Sequence, residues 1–118
     1  MRDSERRRDP RIDFAIPVQF RPAGGLAEPW RKGQAGDISA GGLRFLAGEV
    51  LERGDRLEFQ IVLPIRREPF LLSGEVVWIH PVPEAPTEYG VEFIFVTPDK
   101  LVEIDQLVRF LVHRPKGT

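Results

Sequence analysis

The chain of 118 residues has no cysteine, so disulfide bonds and thiolate chemistry are excluded. It also lacks long apolar runs: none approaches the roughly 20 residues that a transmembrane helix requires. The first residues, MRDSERRRDPR, carry charge but are not followed by the apolar stretch of a signal peptide. These absences predict a cytoplasmic protein that does not associate with the membrane.

The chain also lacks an excess of positive charge, since its formal net charge is −1. A general DNA or RNA binder presents a broad basic surface, which this composition does not supply. Positive charge is instead concentrated near the N-terminus, in Arg6, Arg7, Arg8 and Arg11. This concentration favours a small anionic partner over a long polyanion. A small barrel that binds single-stranded nucleic acid is an alternative. It would need aromatic platforms along a basic groove, whereas most aromatic residues here fall on the inward alternation of the strands.

Catalytic side chains are scarce. The two histidines, His80 and His113, have no further ligand at metal-site spacing. A nucleophile elbow, G-x-S-x-G, needs a glycine two positions before the serine, whereas Asp37 stands two positions before Ser39. Glu75 and Glu92 fall on strand-like segments and are more typical of solvated faces than of an acid–base pair. The sequence therefore predicts no enzyme and no metal site.

Period-2 alternation of apolar residues runs through most of the chain and indicates β-strands. Pro17 suggests a strand edge or bulge, and Gly74 a bulge or kink. Short connections favour an antiparallel barrel or sandwich over βαβ units. We predict a mainly-β fold, a six-stranded antiparallel β-barrel with a C-terminal α-helix packed on it. The six strand-like segments are 14–20, 30–37, 43–46, 57–63, 70–80 and 89–95.

The periodicity becomes helical after residue 96. Thr97 is typical of an N-cap and Pro98 of a first helical position, and basic residues followed by Pro115 end the pattern. An apolar stripe predicts the face that packs on the barrel. The stripe consists of Leu101, Ile104, Leu107, Val108 and Leu111.

Composition divides the chain into four parts. Almost no apolar side chain occurs before Pro10, which is typical of a flexible arm. The predicted parts are an arginine-rich arm at 1–11, the barrel at 12–96, the helix at 97–114 and a tail at 115–118.

Two short motifs remain. Arg7 and Arg11 form R-x-x-x-R before the first strand, and Asp37, Ser39 and Gly42 form D-x-S-x-x-G after the second. Either motif alone has an ordinary explanation: terminal charge runs are usually solvated, and Asp, Ser and Gly are common turn residues. Their order, with Asp37 following Arg11 by 26 positions, is more informative than either motif.

Together the motifs resemble the signature of the PilZ domain, the bacterial receptor module for cyclic di-GMP. The segments GEVVW at 74–78 and YGVEF at 89–93 are similar to its two late strands, and a helix follows. The resemblance extends from Glu5 to Arg114. It implies that cyclic di-GMP is the ligand and that the five motif residues bind it. The residue before R-x-x-x-R is Arg6, which by resemblance favours an intercalated dimer of the nucleotide.

The chemistry of these residues suits that ligand. Guanidinium groups bind phosphate or the O6/N7 edge of guanine bidentately and stack on purines. Asp37 matches the guanine N1–H and N2–H₂ donors, Ser39 adds a hydroxyl, and Gly42 lets the backbone approach the ligand. We expect the nucleotide to order the arm into a surface that an effector protein recognises. Whether Arg8 or Trp78 contacts the ligand is left open. For Trp78 we favour a place in the core, because a tryptophan on a barrel strand is more often buried than bound to ligand. The alternative is a PilZ-type adaptor that works without nucleotide.

Overall fold

The computed structural model describes residues 16–25, 27–81, 83 and 86–113. Within them, six strands precede a single helix. The strands are β1 (Ile16–Pro22), β2 (Arg31–Gly36), β3 (Gly42–Ala47), β4 (Arg56–Ile61), β5 (Phe70–His80) and β6 (Thr87–Ile94), and the helix is α1 (Pro98–His113). The arginine-rich segment with Arg6, Arg7, Arg8 and Arg11, the predicted strand residue Phe14 and the tail at 115–118 lie outside the described residues.

The six strands form a closed barrel in the order β1-β2-β3-β6-β5-β4, with every neighbouring pair antiparallel. Pairing of β1 with β4 closes the barrel and leaves no continuous sheet edge. The predicted six-stranded antiparallel barrel with a C-terminal helix is therefore confirmed.

Pro17 occupies a position that is paired on one side only. It lies opposite Gln34 of β2, whereas the pairing of β1 with β4 begins at Gln19. A proline lacks the N–H that a strand with two neighbours needs, so it is tolerated where one neighbour is absent. The edge predicted from Pro17 exists locally, although the barrel as a whole is closed.

The barrel interior is filled by alternate residues of each strand, as the period-2 pattern predicts. Its centre is an aromatic cluster. Phe45 lies between Phe20 and Phe59, with ring centroids at 5.1 and 5.2 Å and nearly edge-to-face geometry. Tyr89 of β6 completes the cluster at 5.6 Å from Phe45. Burying a side chain of this size contributes about 1.5–3 kcal/mol, so the cluster stabilises the centre of the barrel.

Tyr89 also fixes the loop between β3 and β4. Its buried hydroxyl accepts a hydrogen bond from the Leu51 N–H at 3.0 Å and donates one to the Glu49 carbonyl at 2.7 Å. Both polar functions of the phenol are therefore satisfied in the interior.

The prediction that Gly74 forms a bulge is wrong. Gly74 pairs regularly with Leu57 and Phe93, and the register shift in β5 falls between Val76 and Trp78. Gly74 is instead constrained by packing, because a Cβ atom there would lie 2.3 Å from the Val91 side chain.

Helix α1 begins with the predicted cap, since Thr97 Oγ1 accepts a hydrogen bond from the Lys100 N–H at 3.2 Å. Ile104 and Leu107 are buried, and Val108 packs partly against the core. Leu101, however, is 51% exposed, so its assignment to the packing face is wrong. It lies in the first helical turn, which the Lys100 ammonium ties to the barrel through the Leu71 carbonyl.

Candidate functional site

The segment from Asp37 to Gly42 connects β2 to β3 as a compact turn. The Ser39 N–H donates to the Gly42 carbonyl at 2.9 Å, and the Ser39 hydroxyl lies 3.4 Å from both that carbonyl and the Gly41 N–H. The Phe93 N–H of β6 donates to the Gly41 carbonyl at 2.8 Å. Asp37 has a positive φ of 54°. Asp tolerates this left-handed conformation better than most residues, which explains its place at the start of the turn.

Gly42 is required by the barrel itself. A Cβ atom at this position would lie 2.0 Å from the Val91 carbonyl oxygen of β6. At Gly41, by contrast, a Cβ atom would have no neighbour within 4 Å. The last glycine of the motif therefore has a structural role in the pairing of β3 with β6, in addition to its position beside the turn.

Arg44 of β3 lies next to the turn. Its two cross-strand neighbours, Gly36 of β2 and Gly90 of β6, have no side chains. The Arg44 side chain consequently lies close to the outer face of the sheet and is only 29% exposed. Its Nε lies 3.3 Å from Asp37 Oδ2, and its Nη1 lies 3.2 Å from Glu88 Oε2.

The irregularity in β5 determines the orientation of Trp78. Without an extra residue, the alternation that buries Leu72 and Val76 would turn Trp78 inward. Because Val76 pairs with Val91 and Trp78 with the adjacent Gly90, Val77 is the additional residue and the alternation reverses. Trp78 therefore lies on the outer surface and is 37% exposed, which shows that the core interpretation of this residue is wrong.

The turn, Arg44 and Trp78 border an open groove of about 470 Å³ on the outer face of β3, β6 and β5. Asp37, Ser39 and Gly42 all line it, so the turn residues predicted from the sequence are brought together. Arg44 and Trp78 line it too, and sequence reasoning had assigned no role to Arg44. In the sequence, Arg44 is marked only as an outward-facing arginine two positions after Gly42. Its neighbours Gly36 and Gly90 become apparent only when the strand register is known.

A second groove of about 510 Å³ lies over β1, β4 and β5 and contains none of the motif residues. Its cations already have partners in the protein. The Arg21 guanidinium lies 4.1 Å from the Trp30 ring and 3.1 Å from Glu58 Oε1, and Lys100 binds the Leu71 carbonyl. We therefore take the groove at the turn as the candidate site.

The described residues contain no group of three or more His, Cys, Asp or Glu side chains arranged to hold a metal ion. The described part of the chain has no helix with the length and apolarity needed to span a bilayer.

The barrel and the groove place the protein among small antiparallel β-barrels that have a groove on the outer surface. Residues 5–112 match the family model of the PilZ domain, and the chain belongs to this family. The family resemblance inferred from the two motifs is therefore confirmed. Among curated proteins, none matches the chain significantly in sequence.

Several solved structures share the fold, and they include the following three. The PilZ domain of CeSA from a cellulose-synthesizing bacterium has a TM-score of 0.63 and 19% identity, covering 88% of this chain and 100% of that one. The Bacillus subtilis inhibitor of motility, MotI/DgrA, has a TM-score of 0.61 and 20% identity, covering 88% of this chain and 51% of that one. Escherichia coli YcgR, in complex with c-di-GMP, has a TM-score of 0.60 and 17% identity, covering 86% of this chain and 44% of that one. The chain thus spans about half the length of MotI/DgrA and YcgR.

Proposed function

We propose that the chain is a receptor for cyclic di-GMP and that the nucleotide binds in the groove beside the turn. The observation that carries the proposal is the convergence of Asp37, Ser39 and Gly42 on one open groove in a PilZ domain. The YcgR structure in complex with c-di-GMP adds support from a protein of the same fold.

The chemistry of the groove fits a guanine nucleotide. The Asp37 side chain is 62% exposed, so its carboxylate is accessible to the adjacent N1–H and N2–H₂ donors of guanine. The Trp78 indole offers an apolar surface against which a purine can pack.

Arg6, Arg7 and Arg11 are proposed to supply the positive charge that the two phosphates require. Pairing of Ile16 with Ala35 brings the start of β1 beside the end of β2, close to Asp37. Ile16 follows Arg11 by five positions along the chain, which corresponds to a reach of at most about 18 Å. The arginines can therefore approach the groove, and their ordering by the nucleotide would create the surface that an effector protein recognises.

Titration of the purified full chain with cyclic di-GMP tests the proposal. We expect saturable binding that weakens as ionic strength rises, because phosphate contacts are screened by salt. Arg7→Ala and Asp37→Ala are expected to lose binding while circular dichroism shows a folded barrel. Arg56→Ala is the matched control, since Arg56 is an exposed arginine paired with Glu75 on β4 and β5, outside the groove.

Unchanged binding in both Arg7→Ala and Asp37→Ala would rule out this site. Absence of binding by the wild-type chain would favour the alternative, a PilZ-type adaptor that works without nucleotide. The groove residues would then be expected to affect capture of a protein partner instead.

A further inference from the structure

Arg44 joins two carboxylates that come from different parts of the barrel. Asp37 follows β2 and lines the groove, whereas Glu88 lies on β6 and is 17% exposed. The guanidinium contacts Asp37 through Nε and Glu88 through Nη1. The three residues thus form a chain of charges, Glu88–Arg44–Asp37, that ends at the proposed nucleotide-binding carboxylate.

The contact between Arg44 and Asp37 is only partly formed. The Arg44 Nε is inaccessible to solvent and has no aligned hydrogen-bond acceptor among the described residues, although Asp37 Oδ2 is 3.3 Å away. A buried donor without an acceptor is unfavourable. A small rotation of the exposed Asp37 side chain would complete this bond through one oxygen and leave the other oxygen for a ligand, since a carboxylate accepts several hydrogen bonds.

We propose that Arg44 is a positioning residue for nucleotide recognition. Its guanidinium orients the Asp37 carboxylate toward the guanine, and Glu88 in turn holds the guanidinium in place. The inference rests on the proposed function and assigns to that site a residue outside both sequence motifs.

An alternative effect of Arg44 is purely electrostatic. It is the only cation among the described residues that line the groove, whereas Asp37 and Glu92 both line it as carboxylates. Removal of Arg44 would therefore weaken binding of a dianion even without a positioning role. Glu88 separates the two effects. Loss of its negative charge should strengthen binding of a dianion if only charge matters, and should weaken binding if Glu88 acts by holding Arg44.

A double-mutant cycle on the full chain, titrated with cyclic di-GMP, tests the inference. We expect Arg44→Gln to weaken binding about tenfold and Glu88→Gln about threefold. In the Arg44→Gln background, Glu88→Gln should have no further weakening effect. Glu58→Gln removes the same charge from an ion pair with Arg21 on β1 and β4, and it should not weaken binding.

The outcomes distinguish this inference from the proposed function. Two outcomes overturn the positioning role of Arg44 but leave the proposed function intact. One is wild-type affinity in Arg44→Gln, and the other is equal weakening by Glu88→Gln in both backgrounds. Failure of the wild-type chain to bind overturns the proposed function and this inference with it. If Arg44→Gln does not fold, the comparison of Glu88→Gln with Glu58→Gln still decides: stronger or equal binding in Glu88→Gln overturns the positioning role.

Discussion

The Trp78 indole packs directly on the backbone of Gly90. A Cβ atom at Gly90 would lie 2.1 Å from the indole ring, so this contact depends on the absence of a side chain. The bulge at Val77 brings the two residues into register, and the packing then holds the indole at the groove. A glycine in β6 therefore determines the position of an aromatic ring contributed by β5.

Gly90→Ala is expected to displace the Trp78 ring and to destabilise the barrel by about 1–3 kcal/mol, because the added methyl group overpacks the contact. Chemical denaturation measures the loss of stability. Tryptophan fluorescence in a Trp30→Phe background reports the ring environment from Trp78 alone. Gly48→Ala is the control, since a Cβ atom at Gly48 has no neighbour within 4 Å. An unchanged emission spectrum in Gly90→Ala would contradict the proposed dependence of Trp78 on Gly90.

The two adjacent glycines of the turn should respond differently to substitution. Gly42→Ala is expected to destabilise the fold, because its methyl group would collide with the Val91 carbonyl and separate β3 from β6. Gly41→Ala has free space and should leave the unfolding midpoint nearly unchanged. Since Gly41 lines the groove, reduced nucleotide affinity in a stable Gly41→Ala variant would indicate close approach of the ligand. Equal stability of the two variants would argue against the role of Gly42 in strand pairing.

Tyr89→Phe isolates the hydroxyl that fixes the loop between β3 and β4. The substitution keeps the aromatic packing with Phe45 but leaves the buried Leu51 N–H without its acceptor. We expect a loss of about 1–3 kcal/mol in the free energy of unfolding, and faster hydrogen exchange at the Leu51 amide. An unchanged exchange rate at Leu51 would show that the hydroxyl does not hold this loop.

Most of the fold follows from local chemistry in the sequence. Alternation identifies the buried positions of β1 and β4, and Thr97 with Pro98 identifies the start of α1. The errors arise where a single extra residue or a tertiary contact determines which way a side chain faces. The glycine inside β5 favoured position 74 as the irregular one, whereas the extra residue is Val77, and this shift reverses the orientation of Trp78.

The candidate site was predictable only in part, because some of its residues are adjacent in sequence and others meet only through strand pairing. Asp37, Ser39 and Gly42 are adjacent in sequence, so a motif identifies them together. Arg44 acquires its significance from Gly36 and Gly90, which become its neighbours only through strand pairing. Without the register, an outward arginine on a short strand is indistinguishable from an ordinary solvated charge.

Arg6 gives a prediction about ligand stoichiometry. By resemblance to the PilZ family, an arginine at this position implies two intercalated nucleotides per chain, since one additional guanidinium can stack on or bind a guanine. Isothermal titration calorimetry should therefore give about two nucleotides per chain for the wild type. Arg6→Ala should reduce this ratio toward one without abolishing binding, because Arg7, Arg11 and Asp37 remain. Arg6→Lys keeps the charge but lacks the planar group that stacks, so we expect it to resemble Arg6→Ala. A ratio of one in the wild type, or of two in Arg6→Ala, would contradict this role of Arg6 and leave the proposed binding site intact.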